Sequence, residues 1–503
     1  MSLLWIWLIV FVLYARTLKY NYVIDDCVKR EGYMYDVPLT APPNDFFNKR
    51  PSKAYRLFMI TMHCVNVSIV YMLWGWAPAL LFAVHPLCVW GVAWVTGNYY
   101  ATAAYFTLIS YYIIHTFPNI WGTLVSMTIF SAALNSTVCP MTFPFLFLFI
   151  GQPWGLSLLF PLYTFLVGKK FTTGLKIRFG INNDRVIREK MVTVNLWRRP
   201  AVMTKVIARY ISPCLFPDRL GFFDGYGRKL KEQPEVWNSY HSYNKEFWAC
   251  FAVVLSVLGA GLIVNPFGIM WFFVVIMIHS QFNLTGQFYA QRYLYLSLVG
   301  LCIVVGSAIQ AYPVLVAIVT TFLVIRTHLY IPAWANQECV WANDLDAYPS
   351  SGQVWNNAAQ YYLQFSQQAP AHIMNKTAYY LFKAESMEKN AWEIQMNMAC
   401  FFAKMGHSEE ALRRTNLAIA LLEPLGGLTM PIDTLKVQRA NFEKMISEQK
   451  AQTNKTGATV SPVIQAQPEK EGTDDTRKRN TEGSGGSGNR EPEGRKERLG
   501  AVA

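Results

Sequence analysis

Two carboxylates stand side by side at Asp25-Asp26, a few residues past the first apolar run and next to Tyr22 and Ile24. A pair of this kind at the edge of a membrane segment suits general-base work on an incoming hydroxyl or the holding of a cation. The dipeptide alone is equally at home in a solvated loop. Farther along come Arg50-Pro51, the pattern His63-x2-Asn66, His85-Pro86 in the middle of an apolar run, Asn98, and Arg292 where another apolar run begins. An intramembrane His is a functional candidate by default, but at a Pro kink it can also satisfy the carbonyl that the proline frees. The planar guanidinium of Arg292 suits a phosphate.

The elements that must hold these groups are not those of a soluble enzyme. Of 503 residues, 52% are hydrophobic, 15% aromatic and only 15% charged, with a mean hydropathy of +0.18. Soluble domains carry about 25% charge, so much of the surface faces lipid. The nine cysteines are scattered singly, without the paired spacing of zinc or redox sites.

A helix crosses the hydrocarbon core with about 20 apolar residues. Such runs occur at Ser2 to Ala15, Arg56 to Trp74, Trp76 to Thr96, Tyr99 to Phe117, Trp121 to Cys139 and Met141 to Gly168, then at Phe247 to Val264, Phe267 to Phe282, Tyr293 to Gln310 and Val314 to Tyr330. The first has no basic residue ahead and no small-residue cleavage site behind, and reads as an uncleaved anchor. The Met141 run, interrupted at Gly151 to Gly155, is one long span or two short ones. The expectation is an all-α, polytopic membrane domain of about ten or eleven spans over residues 1–332, because a barrel would show alternating strands and none appear.

A basic soluble loop, residues 169–246, separates the two groups of spans. It holds 16 Lys and Arg against 7 acids, a weak vote for orientation in a loop of this length and equally a surface for lipid phosphates. Residues 333–448 read as tetratricopeptide-like repeats. Ala399-x2-Phe402-x3-Gly406-x4-Ala411-x6-Ala418 has their small/aromatic/Gly register, and Ala378 and Ala384 precede by about the 34-residue period. A weaker start lies at Trp355 to Ala358. Residues 449–503 are too poor in apolar side chains to fold.

Four runs separate the basic loop from the repeats, so these two share a side. With a cytoplasmic amino terminus and two spans in the Met141 region, Asp25, Asp26, Asn98, the basic loop, Arg292 and the repeats all emerge on the outer face. With one span there, the aspartates lie opposite the rest.

The ordered set Tyr22-Val-Ile-Asp25-Asp26, Arg50-Pro51, His63-x2-Asn66, Leu81-Phe-Ala-Val-His85-Pro86-x5-Val92-Ala-Trp94-Val-x-Gly97, Leu215-Phe216-Pro217, Arg292-Tyr-Leu-Tyr-Leu and Trp341 covers most of the chain. It resembles the GT-C membrane glycosyltransferases that carry tetratricopeptide repeats, the transmembrane O-mannosyltransferases and their bacterial relatives. The resemblance implies transfer of a sugar from a polyprenyl or dolichyl phosphate to a Ser or Thr hydroxyl of a protein, with inversion, on the non-cytoplasmic face of the ER or bacterial inner membrane. It implies Asp25 as general base and Asp26 as helper or alternate base. Arg292, Arg198 and Arg199 would stabilise the departing lipid phosphate, and Arg50, His63, His85 and Asn98 are further site candidates. The implied partners are the lipid-linked sugar, which is donor substrate rather than cofactor, and an acceptor protein held by the repeats; no nucleic acid is implied. The chain departs from the family at Trp90, where an acidic residue usually follows the His-Pro motif, and at Asn98, where an Arg follows the Gly. A non-catalytic scaffold that recruits a partner through the repeats is the alternative. A transporter would call for paired intramembrane charges, and the spans hold few.

Overall fold

The computed structural model describes residues 1–24, 26, 50–137, 139–149, 159–164, 196–222, 238–280, 289–363, 370–423 and 429–456. Asp25 and most of the basic loop lie outside them. Every regular element among the described residues is helical.

The first compact unit, Met1 to Glu448, starts with α1 (Leu3–Tyr14), α2 (Lys53–Trp74) and α3 (Trp76–Val84). After α4 (Asn98–Thr116) and α5 (Ile120–Ser136) come α6 (Arg199–Leu215), α7 (Lys245–Val264), α8 (Pro266–Met277), α9 (Leu294–Ile309) and α10 (Pro313–Tyr330). Local chemistry sets many of the starts. Ser52, Asn119, Asn244 and Asn265 each accept a backbone N–H of the following turn, the role that Ser and Asn side chains fill at an N-cap. Pro266 and Pro313 occupy first-turn positions, where no N–H is needed.

Among the described residues, four helices are long and apolar enough to cross a membrane: Lys53–Trp74, Lys245–Val264, Gln291–Ile309 and Pro313–Trp334. α7 buries only Phe247 and Gly261 and exposes Trp248, Val253, Leu255 and Ile263, so its apolar surface faces outward. α9 is the opposite, buried almost throughout.

Two of the apolar runs are not straight helices. The Trp76 to Thr96 run stops at Val84, where His85 is extended (ψ 132°). Pro86 forces this, because proline disfavours helical backbone in the residue before it. A 3-10 turn, Pro86–Cys88, and a single α-turn, Val89–Val92, follow. The Met141 run opens with 3-10 helix over Cys139–Phe149, with Pro144 inside. Proline removes an N–H from the α ladder there.

At one end of the bundle Trp74, Tyr111, Phe143, Phe267 and Trp271 interlock with ring centroids 4.8–6.3 Å apart. At the other end the apolar core continues past α10 through Trp334 and Val340, so the carboxyl-terminal helices grow out of the apolar bundle without a break at residue 333.

The carboxyl-terminal helices are α11 (Gln337–Ala347), α12 (Gly352–Leu363), α13 (Ala371–Met387), α14 (Trp392–Lys404), α15 (Ser408–Leu422) and α16 (Thr429–Thr456). α12 packs on α13 and α14 on α15. Ala384, Ala399, Ala411 and Ala418 are fully buried, and Gly406 makes the turn between α14 and α15 at φ +80°. Helices α12 and α14 start at residues 352 and 392, a longer step than the 34-residue period. α16 runs to Thr456, into the segment assigned from sequence to the tail. Lys444 and Glu448 pair across one turn of it at 3.9 Å, the spacing at which opposite charges support a helix.

Candidate functional site

Asp26 is 2% exposed. Its Oδ2 accepts the N–H of Val23 at 2.9 Å and its Oδ1 that of Thr96 at 2.8 Å. Burial pushes its carboxyl up to about 6, against the pull of these two backbone bonds. Immediately before the aspartate pair, Ile24 holds φ 52°, a left-handed backbone that is a genuine outlier for a β-branched residue. It is kept there by Asp26 on one side and by its own N–H, which donates to Oε1 of Gln337 at 2.6 Å. Asn21 N–H also donates to the carbonyl of Ala335 at 2.9 Å. The loop after α1 is thus stitched both to the start of α11 and to the turn before α4.

Arg56 completes the stitching from inside. It is fully buried in α2 and donates to the carbonyls of Ala93, Tyr20 (3.4 Å) and Asn21 (3.0 Å). In the sequence this residue merely opens an apolar run, where Arg usually marks a helix end; nothing there signals that it holds three carbonyls from two loops. Arg50 is exposed and donates to Oδ1 of Asn21 at 3.1 Å. Asn98 is buried at the start of α4, with the Tyr55 hydroxyl in hydrogen-bonding reach.

Beside this loop lies an aromatic box. Trp90 packs on Trp334 (centroids 4.8 Å) and on Phe222 (5.6 Å), and Trp94 on Phe222 (5.3 Å). The buried indole N–H groups of Trp90 and Trp94 have no hydrogen-bond partner among the described residues. Arg292 lies over Phe222 at 5.3 Å and over Tyr293 at 5.4 Å, within reach of the Tyr100 hydroxyl. These are cation–π distances. Trp90, the departure noted in the sequence, is therefore one wall of the box rather than a gap in it.

Phe222 is held in place through its chain. The strap Pro217 to Phe222 is gripped at Pro217 O and Asp218 O by Arg326, at Arg219 O by Gln291, at Leu220 O by Asn343 and at Phe222 N by Asp344. Three elements, the turn before α9, α10 and α11, thus fix one loop.

Asp26, Asn98, Arg292 and the start of α11 therefore gather at one end of the bundle. The other candidates are elsewhere or otherwise engaged. His63 donates from Nε2 to Ala83 O (3.1 Å) and accepts from the Tyr295 hydroxyl at Nδ1 (2.7 Å). Asn66, three residues on, donates to Ala101 O at 2.9 Å. His85 donates from Nε2 to Cys214 O (3.0 Å) and accepts from Leu87 N–H (3.2 Å). Because a carbonyl can only accept, Nε2 carries a proton in both rings; both are committed to the fold, and His85 caps the turn its proline creates.

Arg198 is exposed and Arg199 half-buried at the amino end of α6. The Tyr210 hydroxyl, farther along the helix, is the group that meets Ala290 N–H, at 3.2 Å. Eleven helical residues, about 16 Å of axis, separate Arg199 from that point. The structure does not bring Arg198 or Arg199 to Arg292; Arg209, over the Tyr289 ring at 5.3 Å, is the cation of α6 nearest that turn. The described residues hold no group of three or more His, Cys, Asp or Glu able to bind a metal ion.

No family model matches this chain, and no curated protein and no solved structure matches it either.

Proposed function

We propose that the chain is a multi-pass membrane glycosyltransferase of the GT-C type. It moves a sugar from a polyprenyl or dolichyl phosphate to a Ser or Thr hydroxyl of a protein on the non-cytoplasmic face, and its carboxyl-terminal helices act as tetratricopeptide-like repeats that hold the acceptor. The observation that carries this reading is the gathering of a buried carboxylate, an aromatic box and Arg292 at one end of an apolar helix bundle, beside the first of those helices.

In this reading Asp25 takes the proton of the acceptor hydroxyl as its oxygen attacks the anomeric carbon. The bond from that carbon to the lipid phosphate breaks, and the phosphate leaves with the electron pair towards Arg292. Asp26 serves two ends. Its bonds to Val23 and Thr96 anchor the loop that presents Asp25, and a carboxyl titrating near 6 is matched to proton transfer near neutral pH. The box stands behind this loop as its support, with Trp90 and Trp94 sealed from solvent.

One observation favours the scaffold reading: Trp90 is wholly buried among aromatic rings where the related enzymes carry an acid. The discriminating experiment supplies the full chain in lipid nanodiscs with radiolabelled dolichyl-phosphate mannose or dolichyl-phosphate glucose and Ser/Thr-rich peptides. Alkali-labile label on the peptide that Asp25→Asn abolishes supports the enzyme. Equal, background-level label from wild type and variant defeats it.

A further inference from the structure

Two hollows flank the carboxyl half of α6 and share Arg209 and Ser212 as lining. The first, about 540 Å³, opens between the end of α6, the strap and the turn after α11, and is polar. Its charged lining is balanced, Arg209 and Arg219 against Asp218 and Asp346. Its floor includes Gln291, 3% exposed, whose Nε2 donates to Arg219 O (2.8 Å) and to the Tyr348 hydroxyl (3.1 Å) while its Oε1 has no partner among the described residues. A buried carbonyl left unmatched costs about 1–3 kcal/mol, so an occupant that brings an N–H or O–H donor is favoured there.

The second hollow, about 460 Å³, lies between α6 and α7 and is mostly apolar, walled by Ile211, Leu215, Phe216, Ala249 and Val253. It opens at the first turns of α7, whose outer surface is apolar and exposed; Trp248 (58% exposed) and Phe216 (69%) flank that level. Aromatic side chains of this kind sit at the membrane–water boundary.

A polar hollow beside an apolar one, with Arg209 and Ser212 lining both, fits an amphiphile. We propose that the pair is a binding site for a membrane phospholipid with an ammonium headgroup, the phosphatidylethanolamine type. The phosphate meets the guanidiniums of Arg209 and Arg219. The ammonium donates to Oε1 of Gln291 and to the carboxylates of Asp218 and Asp346, and an acyl chain lies between α6 and α7. An anionic headgroup would leave both acids opposed, and a choline headgroup has no N–H for Gln291. The turn Gln291–Tyr293 gives this lipid its significance: Gln291 lines the headgroup hollow while the next residue, Arg292, lies over Phe222 in the aromatic box. Occupancy of one side of the turn bears on the order of the other, whether or not the box transfers a sugar.

The test uses the full chain, purified and reconstituted in phosphatidylcholine nanodiscs that contain a minority of phosphatidylethanolamine, with retained lipid measured by native mass spectrometry after transfer to detergent. Phosphatidylethanolamine is enriched over phosphatidylcholine on the wild type. Asp346→Asn lowers that enrichment, and Arg219→Ala, which removes a contact to the phosphate common to both lipids, lowers the total phospholipid retained, each by about tenfold, the loss expected for one charge-assisted contact. Arg219 is held in the fold by its carbonyl, so its side chain can be truncated without unlacing the strap; a circular dichroism melt matching wild type verifies this. Enrichment that is absent, equal for the choline lipid, or unchanged in Asp346→Asn overturns the proposal, as does unchanged retention in Arg219→Ala. So does displacement of the bound lipid by polyprenyl phosphate at equal concentration, which would make the hollows a donor site.

Discussion

The N–H of Thr96 donates to Oδ1 of Asp26 at 2.8 Å across 70 residues of chain, joining the loop after the first helix to the irregular turns that Pro86 creates after the third. The site is built on this bond, and its titration gives the first prediction. An unfolded aspartate titrates near 3.9, whereas burial raises Asp26 to about 6. The folded state keeps the proton longer, so the stability carried by the neutral carboxyl is present below about pH 4 and is lost as pH rises through about 6. Thermal midpoints should fall across that window in the wild type and stay flatter in Asp26→Asn. Sugar transfer assisted by the ionised carboxylate should rise across the same window. An activity profile with no limb near 6 would separate Asp26 from the chemistry.

Gln337→Leu removes the acceptor of the Ile24 N–H. A buried donor left alone costs about 1–3 kcal/mol, and it would loosen backbone already held in a left-handed state that costs about 1–3 kcal/mol by itself. Hydrogen exchange at residues 20–24 should accelerate while α9 and α10 stay protected. Unaltered exchange would show that Asp26 alone fixes the turn.

Arg56→Leu strips three carbonyls of their donor inside the bundle. Loss of charge-assisted bonds of about 1.5–3 kcal/mol each should lower the thermal midpoint more than Arg50→Ala, whose single contact is exposed. Comparable melting of the two variants would contradict the role given to Arg56.

Arg292→Lys keeps the charge and loses the planar face that lies over Phe222 and Tyr293. If this face orders the phosphate site, KM for the lipid donor should rise by about tenfold with kcat less affected, and Arg292→Ala should do worse. Unchanged donor kinetics in both variants would remove Arg292 from the site.

Gly406 at φ +80° has nothing within 4 Å of where a Cβ would stand. Gly406→Ala therefore reports backbone strain alone, about 1 kcal/mol. A melt that tracks α14 and α15 should show this modest loss. A far larger one would mean that the turn carries more than the joint between two helices.

The sequence made the helical class and the apolar segments visible, because hydropathy integrates over many residues. It also marked the Asp25-Asp26 loop, Arg292 and the small residues that α14 and α15 bury. In the Trp76 to Thr96 run His85-Pro86 pointed to a kink, but the full stop of the helix at Val84 was not visible, since hydropathy is blind to what a proline does to the residue before it. Arg198 and Arg199 looked equivalent to Arg292 because charge in a list has no position; one helix length separates them from the turn. Arg56, Gln337 and the grip on the strap were not legible at all. Their partners are main-chain carbonyls and amides, which every residue possesses and no side-chain pattern announces.

The strap from Pro217 to Phe222 carries one last implication. Since its carbonyls and amides are what Arg326, Gln291, Asn343 and Asp344 grasp, its shape is encoded in four residues lying 72 to 123 positions away in the chain. The exposed side chains at Asp218 and Arg219 can be exchanged under that fixed outline, while Leu220 is committed to the core. Gly221 is a second exception, where an added Cβ would meet the Tyr348 ring at 2.7 Å. The strap is thus a template on which the character of the neighbouring hollow can be rewritten without recasting the fold.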